Sequence, residues 1–353
     1  MTNSISIGGR PIGIEHPPFL IAEMSGNHNQ SLDRALEIVD AAAATGAHAI
    51  KLQTYTADTI TLDVKKEEFF IRDANSLWKG NSLHQLYKQA YTPWEWHGPI
   101  MERARSHGML CFSSPFDETA VDFLESLGAP AYKIASFENT HLPLIQKAAA
   151  TGKPLIISTG MANLSEIDDA VRAARQAGGK QIILLKCTST YPASPENSNV
   201  STIPAMRQAF RDCEIGLSDH TMGCGVAIAA ISLGATVVEK HFTLRRADGG
   251  VDSAFSLEPE EFKTLCVESE RAWRGIGRVT FGATEAEEKS KMFRRSLYIA
   301  KDMRAGEILT RDNLRIVRPG FGLPPKFFDT LLGRSVNREV DAGTPLSWDL
   351  LGR

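Results

Sequence analysis

Two short apolar runs of the sequence each end in a histidine. The runs 215–220 and 238–241 close on His220 and His241, and the small, apolar stretch 223–234 between them predicts a helix. Adjacent strands of a parallel α/β barrel present their carboxyl ends side by side, so the two imidazoles can share one metal ion. The alternative is a pair of polar barrel-end residues with ordinary hydrogen-bond partners, because two histidines form a small ligand set.

The strands that hold these histidines belong to a longer alternation of apolar runs and amphipathic stretches. The first run closes on Glu23, and the second carries Lys51 and Gln53 on one face because side chains alternate along a strand. We count eight strands, each followed by a helix, which predicts a (β/α)8 TIM barrel. The predicted strands are 19–23, 49–53, 109–113, 131–136, 154–159, 181–187, 215–220 and 238–241.

The barrel does not account for the whole chain. We assign a catalytic barrel to 1–282, a polar and acidic linker to 283–293, and a small C-terminal module to 294–353. A module of that size has a marginal core, so we expect it to dock against something. The long segment 54–92 is expected to form a loop on the catalytic face that shapes a substrate pocket.

Composition excludes several classes of function. The 353 residues are 42% hydrophobic and 23% charged, with a net charge of -3, which favours a large core over disorder. No basic stripe predicts a nucleic-acid partner, and no polybasic or long apolar run predicts a membrane partner. Residues 1–10 lack the pattern of a secretory signal, and the five cysteines show no CxxC spacing. We therefore expect reduced thiols in a cytoplasmic protein.

Polar side chains occupy the predicted strand ends, where the active sites of such barrels lie. Lys51 and Lys133 fit an anion such as a phosphate or a carboxylate. Alternatively, each lysine pairs with a neighbouring acid, and Glu23 is the obvious candidate. We favour the anion site, because two lysines and a row of hydroxyls exceed what one glutamate can neutralise. The polar residues at these positions are Glu23, Lys51, Gln53, Ser113, Ser114, Lys133, Ser136, Ser158, Thr159, Lys186, Thr188, Ser189, Ser218, His220 and His241.

Two loop residues have less specific signals. Tyr191 precedes Pro192, which is typical of a rigid loop corner, although the ring can also line a pocket. Asp252 lies in a glycine-rich loop after the eighth strand, either as a solvated acid or within reach of the metal face.

These motifs, taken in order, resemble the sialic acid synthase family. The resemblance covers nearly the whole chain, and the module around Arg318 resembles the family's C-terminal antifreeze-like (SAF) domain. Within the family it points to the branch that makes pseudaminic acid. Ser189 stands where members that make N-acetylneuraminic acid commonly carry asparagine, which weakens the case for N-acetylmannosamine as substrate. The motifs are Ile-Ala-Glu at 21–23, Asn-His-Asn at 27–29, Lys-Leu-Gln-Thr at 51–54, Tyr-Lys-Ile-Ala-Ser at 132–136, Ile-Ser-Thr-Gly-Met at 157–161, Gly-Leu-Ser-Asp-His at 216–220 and Glu-Lys-His-Phe at 239–242.

The resemblance implies condensation of phosphoenolpyruvate with an open-chain amino sugar, 2,4-diacetamido-2,4,6-trideoxy-L-altrose for this branch, with release of phosphate. It implies that His220 and His241 hold a divalent ion, and that Arg318 reaches the sugar from the partner subunit of a domain-swapped homodimer. By the same resemblance, Lys51, Lys133, Ser114, Ser136, Ser158 and Ser218 meet phosphoenolpyruvate, and Glu23, Gln53, Tyr191 and Asp252 face the sugar or the attacking water. We also assign Ser189 to substrate binding.

Alternatives remain at three levels. The enzyme can make another nonulosonic acid, N-acetylneuraminic or legionaminic acid. A barrel with Lys133 on a strand also fits a Schiff-base aldolase. The non-enzymatic alternative is a sugar-binding module without catalysis. The ligand set suits Mn²⁺, Mg²⁺ or Co²⁺ without excluding Zn²⁺. The two destinations considered for the product are flagellin and a surface polysaccharide.

Overall fold

A computed structural model describes residues 5–72 and 78–352. The first residues of the 1–10 stretch and part of the predicted 54–92 loop, residues 73–77, therefore lie outside the described residues. The chain divides into two compact units, Met1–Gly277 and Arg278–Arg353. None of the helices in the described part of the chain is both long enough and apolar enough to cross a bilayer.

The first unit is a closed barrel of eight parallel strands, which confirms the predicted fold class. The strands follow one another around the barrel in chain order, and the last pairs with the first, with His241 opposite Glu23. An antiparallel hairpin of β1 (Ile5–Ile7) and β2 (Arg10–Ile12) precedes the barrel. The barrel strands are β3 (Phe19–Glu23), β4 (Ala49–Thr54), β5 (Leu110–Pro115), β6 (Tyr132–Ile134), β7 (Leu155–Ser158), β8 (Ile182–Cys187), β9 (Glu214–Asp219) and β10 (Val237–His241).

Every barrel strand is followed by at least one helix, as predicted. The predicted loop 54–92 contains two of these helices, α2 and α3, because Ser82 and Gln85 form a capping box that starts α3 and Leu86 anchors it. The helices are α1 (Leu32–Thr45), α2 (Ala57–Ile60), α3 (Leu83–Ala90), α4 (Trp94–Ser106), α5 (Glu118–Ser126), α6 (Leu142–Ala149), α7 (Leu164–Gln176), α8 (Thr202–Ala209), α9 (Gly225–Ser232) and α10 (Pro259–Ile276).

The interior of the barrel changes from apolar to polar along the strands. Because side chains alternate, Phe19 and Ile21 face inward ahead of Glu23 on β3, and Ala131 faces inward ahead of Lys133. The amino-terminal half is thus an apolar plug, and the chemistry-bearing groups are confined to the carboxyl half. The plug consists of Ile5, Ile7, Ile12, Phe19, Ile21, Ala49, Phe112, Ala131, Ile156, Ile183, Leu185 and Val237.

Gly216 on β9 permits the close packing of this interior. A Cβ at that position would lie 2.3 Å from the carbonyl oxygen of Val237 and 2.6 Å from a methyl carbon of Leu185. Any larger residue would therefore push β9 away from β10, and with it the segment that ends in His220.

The second unit has its own small core. Strands β11 (Ser296–Ile299) and β12 (Leu314–Val317) pair antiparallel, and the short helix α11 (Phe328–Leu331) follows. In the structure, Glu285–Phe293 of the predicted linker forms a 3-10 helix within this unit. The buried core residues are Leu297, Ile299, Met303, Leu309, Leu314, Leu331, Val336, Val340, Leu346 and Leu350.

Candidate active site

Two lysines and two glutamates form a buried cluster in the carboxyl half of the barrel. Lys51 Nζ lies 2.5 Å from Glu23 Oε2 and 3.7 Å from Glu239 Oε2. Lys133 Nζ donates to both carboxylate oxygens of Glu239, at 2.6 and 2.8 Å. All four side chains are buried. The two ammonium groups therefore belong to one network, which Glu239 joins from the opposite side of the barrel.

Glu239 is a site residue that the sequence argument missed. The expected balance of one glutamate, Glu23, against the two lysines is wrong, because Glu239 supplies a second carboxylate. The available signal was its position two residues before His241, which places both on the inward face of β10. The intervening Lys240 points the other way and is held by Asp219 at 2.7 Å.

The two glutamates of the cluster differ in acidity. Burial raises the pKa of Glu23 to about 7, and the nearby Lys51 ammonium only partly opposes this effect. Burial acts in the same direction on Glu239, but the ammonium groups of Lys133 and Lys51 outweigh it and hold its pKa at about 2. Near neutral pH, Glu239 is therefore ionised, and Glu23 is the carboxyl of the cluster that takes up a proton more easily. Burial also lowers the pKa of Lys133.

Two of the predicted serines are bonded directly to this cluster. Ser114 accepts a hydrogen bond from Lys51 at 3.2 Å, and Ser218 donates to Glu239 at 2.9 Å. Both serines thus face the same interior as the lysines.

Three further predicted serines lie at the neighbouring strand ends. Ser189 donates to Ser136 at 2.8 Å, which joins the loop after β8 to the loop after β6. The Ser158 hydroxyl is buried and has no hydrogen-bond partner among the described residues. A buried hydroxyl without a partner is costly, so Ser158 has a hydrogen bond available for a ligand.

The two histidines meet as the sequence predicts. The ring centroids of His220 and His241 are 5.4 Å apart. His220 Nδ1 is 2.8 Å from the carbonyl oxygen of Thr188, which assigns the proton to Nδ1 and leaves Nε2 with a lone pair. His241 Nδ1 is buried and makes no hydrogen bond within the part of the chain that the structure describes, and Asp252 Oδ2 lies 3.8 Å away. Burial, followed by the neighbouring His220, lowers the pKa of His241 well below its usual value.

Burial lowers the pKa of His220 as well, but its hydrogen bond with Cys187 outweighs this effect and raises the pKa. In its neutral form each imidazole offers a lone pair to a divalent ion. Among the residues that the structure describes, no group of three or more His, Cys, Asp or Glu side chains is arranged to hold a metal. The role of His220 and His241 as metal ligands stays a prediction.

Asp252 belongs to the site and is not a solvated loop acid. Ser25 donates a short hydrogen bond to Asp252 and accepts one from Gln53 at 3.1 Å. Gln53 also donates to Glu23 at 3.0 Å, so a continuous chain of polar groups runs from the lysine cluster to the loop after β10. Burial raises the pKa of Asp252. Ser25 was missed because nothing in its local sequence distinguishes it from an ordinary loop serine.

Tyr191 packs against the histidine pair. Its ring centroid lies 4.4 Å from that of His220 and 5.6 Å from that of Phe255. Burial raises the pKa of its phenol, so the hydroxyl stays protonated. Tyr191 thus contacts the histidine pair from the loop after β8, and its assignment to the substrate stays a prediction.

Not every polar strand end faces the cluster. Ser113 bonds to Thr54 at 2.6 Å, and Thr54 bonds in turn to His97 at 2.8 Å, which ties β4 and β5 to α4. Lys186 donates to the carbonyl of its neighbour Cys187 at 3.0 Å. These residues hold the framework together.

Arg318 lies in the second unit, directly after β12, and its side chain is exposed. Its predicted contact with a sugar bound in the partner's barrel stays a prediction.

Comparisons with known proteins agree with this geometry. Residues 38–280 match the profile of the NeuB family, and residues 294–352 match that of the SAF domain. The chain is 42% identical to a pseudaminic acid synthase of Campylobacter jejuni, over 93% of this chain and 95% of the relative. It is 41% identical to a pseudaminic acid synthase of Helicobacter pylori, over 96% of this chain and 98% of the relative.

A solved structure covers both units. The crystal structure of the spore coat polysaccharide biosynthesis protein SpsE of Bacillus subtilis is 33% identical, covers 99% of each chain and aligns with a TM-score of 0.68.

Proposed function

Since this chain belongs to the NeuB family and carries a SAF domain, we propose that it is a pseudaminic acid synthase. It condenses phosphoenolpyruvate with open-chain 2,4-diacetamido-2,4,6-trideoxy-L-altrose and water to give pseudaminic acid and phosphate. The observation that carries this proposal is the 42% identity to a relative named for that activity, over 93% of the chain. The lysine cluster and histidine pair at the barrel mouth support it independently. We place the reaction in the cytoplasm.

Phosphoenolpyruvate occupies the interior of the barrel. Lys51 and Lys133 supply the positive charge for its phosphate and carboxylate, and the unpartnered hydroxyl of Ser158 supplies a further donor. Ser114 and Ser218 already bond to the charged cluster, so they can exchange these bonds for bonds to the ligand. Because the site is buried, these interactions are stronger than they would be in water.

His220 and His241 hold a divalent ion, in agreement with the free lone pairs described above. When bound, such an ion acts as a Lewis acid on the aldehyde oxygen of the sugar. The hydrogen bond from His220 to the carbonyl of Thr188 fixes the orientation of one ligand. Mn²⁺, Mg²⁺ and Co²⁺ suit this set of nitrogen and oxygen ligands.

The bond changes follow from the positions of these groups. The methylene carbon of phosphoenolpyruvate forms a bond to the aldehyde carbon, and the aldehyde oxygen takes up a proton. Water adds at the former enol carbon and loses a proton. The bond from that carbon to the phosphate oxygen then breaks while the new hydroxyl loses its remaining proton, which leaves a keto group and free phosphate. Glu23 is suited to stabilise the positive charge that develops at the enol carbon or to hold the water. Gln53 orients this carboxyl through its 3.0 Å hydrogen bond.

The sugar lies toward the mouth of the barrel, beside Gln53, Tyr191, Ser189 and Asp252. We infer that the active form is a domain-swapped homodimer, in which the SAF domain of one subunit covers the barrel of the other. Arg318 then reaches the sugar from the partner subunit. The partner's barrel is thus the surface against which the small module is expected to dock.

A panel of sugars tests the proposal. Phosphate release from phosphoenolpyruvate is measured with the altrose derivative, with N-acetylmannosamine and with the precursor of legionaminic acid. We expect kcat/KM to be highest for the altrose derivative and turnover to require a divalent ion. A higher value for either other sugar would assign the chain to a different branch, and absence of turnover with all three would refute a synthase.

A further inference from the structure

Three aromatic rings continue from the histidine pair toward the solvent. The centroid of Tyr191 is 6.0 Å from that of Trp78 and 6.5 Å from that of Phe137. Phe137 is 58% exposed, so most of its ring is open to a ligand. We call Trp78, Tyr191 and Phe137 the aromatic wall.

The wall begins at the proposed reaction centre. Tyr191 is in ring contact with His220 at 4.4 Å, and Phe137 directly follows Ser136, which the Ser189 hydroxyl contacts at 2.8 Å. The wall therefore runs outward from the position of the sugar aldehyde.

The polar end of Trp78 is already used. Its indole N–H donates to the carbonyl oxygen of Val251 at 3.0 Å, next to Asp252 in the loop after β10. The indole ring thus lies beside Tyr191, and its N–H is directed to the backbone. A hydroxyl placed against such rings loses its bonds to water without replacement, whereas a methyl group gains from the same contact.

We propose that the aromatic wall determines specificity by selecting a sugar that carries a methyl group at C6. This inference rests on the proposed function. The aldehyde end of the sugar has to meet phosphoenolpyruvate near the lysines, so the far end of the open chain extends toward the mouth. In the 6-deoxy sugar that end is a methyl group, and it meets Phe137. The exposed surface of Phe137 is then the part that the sugar covers.

The test compares two sugars that differ by a single oxygen, 2,4-diacetamido-2,4,6-trideoxy-L-altrose and its 6-hydroxy analogue. Phe137→Ala should lower kcat/KM for the 6-deoxy sugar by about 10-fold or more, the discrimination available from one methyl-sized contact, and for the analogue by less than about 3-fold. The KM for phosphoenolpyruvate should not change. Phe137→Leu keeps an apolar surface and should retain most of the preference.

The matched control is Ile14→Ala, which removes an apolar side chain of similar exposure, 53%, in the segment after β2. It should leave the ratio between the two sugars unchanged. If Phe137→Ala lowers kcat/KM equally for both sugars, or does not lower it, the proposed role of the aromatic wall in specificity is overturned. The proposed function is unaffected by that result. If the wild type releases no phosphate with either altrose derivative, the proposed sugar and the wall are both refuted.

Discussion

Replacing Glu23 by glutamine removes the charge of this carboxyl while keeping its shape. Glu23 lies 2.5 Å from Lys51 and accepts a hydrogen bond from Gln53. Burial raises its pKa from 4.5 to about 7. The substitution therefore separates two effects of this group, the cost of ionising it inside the barrel and its use in the reaction.

The effect on stability has a definite sign. The native protein holds the Glu23 proton up to about pH 7, whereas the unfolded chain releases it near 4.5. Because the native state binds more protons in this interval, the free energy of unfolding falls as the pH rises through it and is then level. A shift of this size corresponds to about 3 kcal/mol. The wild type loses this free energy of unfolding as the pH rises, and Glu23→Gln does not. The difference in unfolding free energy should therefore shift by about 3 kcal/mol in favour of Glu23→Gln between pH 4.5 and about pH 8.

Urea denaturation at a series of pH values measures this difference, and phosphate release measures the catalytic effect. In the wild type, kcat/KM should rise as the pH passes about 7, since the ionised carboxylate stabilises the developing positive charge. Glu23→Gln should lose this rise and lower kcat by about 100-fold, with a smaller change in the KM for phosphoenolpyruvate. Glu118→Gln, at an exposed position on α5, is the matched control. Parallel pH dependences in variant and wild type would refute the assignment of the raised pKa, and unchanged turnover would remove Glu23 from the mechanism.

His241→Ala should abolish metal-dependent turnover and weaken Mn²⁺ binding measured by calorimetry, with an unchanged circular dichroism spectrum; retention of most activity would contradict the metal site. Arg318→Ala should raise the KM for the sugar, and mixed dimers with His241→Ala should regain activity, because one of their two sites is intact; an effect on phosphoenolpyruvate alone would show the cross-subunit assignment to be wrong. Lys240→Met should cost about 3 kcal/mol in urea denaturation, because it leaves Asp219 buried without its 2.7 Å partner, and adding Asp219→Asn should recover part of the loss. A cost below about 1 kcal/mol would show that this pair is not needed for stability.

The barrel could be predicted from the sequence because its signals are local. Each strand is a short apolar run followed by a helix, and the closed parallel barrel is the arrangement that such a repeat favours. The segment 54–92 was assigned to a loop because its helices are short, and α3 depends on a capping box at Ser82 more than on a long apolar stripe. The same local alternation placed Lys51, Lys133 and His241 on the inward face.

The connections inside the site could not be predicted in this way. Lys133 lies on β6 and Glu239 on β10, which stand four places apart in a ring of eight strands and so face each other across the interior. No local pattern pairs two residues on opposite strands. Ser25 is a similar case, because it acquires its role from Gln53 on β4 and Asp252 beyond β10.

The charge balance of the lysine and glutamate cluster couples the binding of phosphoenolpyruvate to the uptake of a proton. An anion that enters the barrel meets Glu23 and Glu239, and both oppose it. Glu239 is held ionised by Lys133 and Lys51, with a pKa of about 2, whereas Glu23, with a pKa of about 7, is neutralised far more easily. Binding of phosphoenolpyruvate should therefore raise the pKa of Glu23 further and draw a proton from solution near pH 7. Calorimetric titrations in buffers of different ionisation enthalpy measure this uptake, which Glu23→Gln should abolish. Binding without proton uptake in the wild type would mean that the anion does not approach this carboxyl.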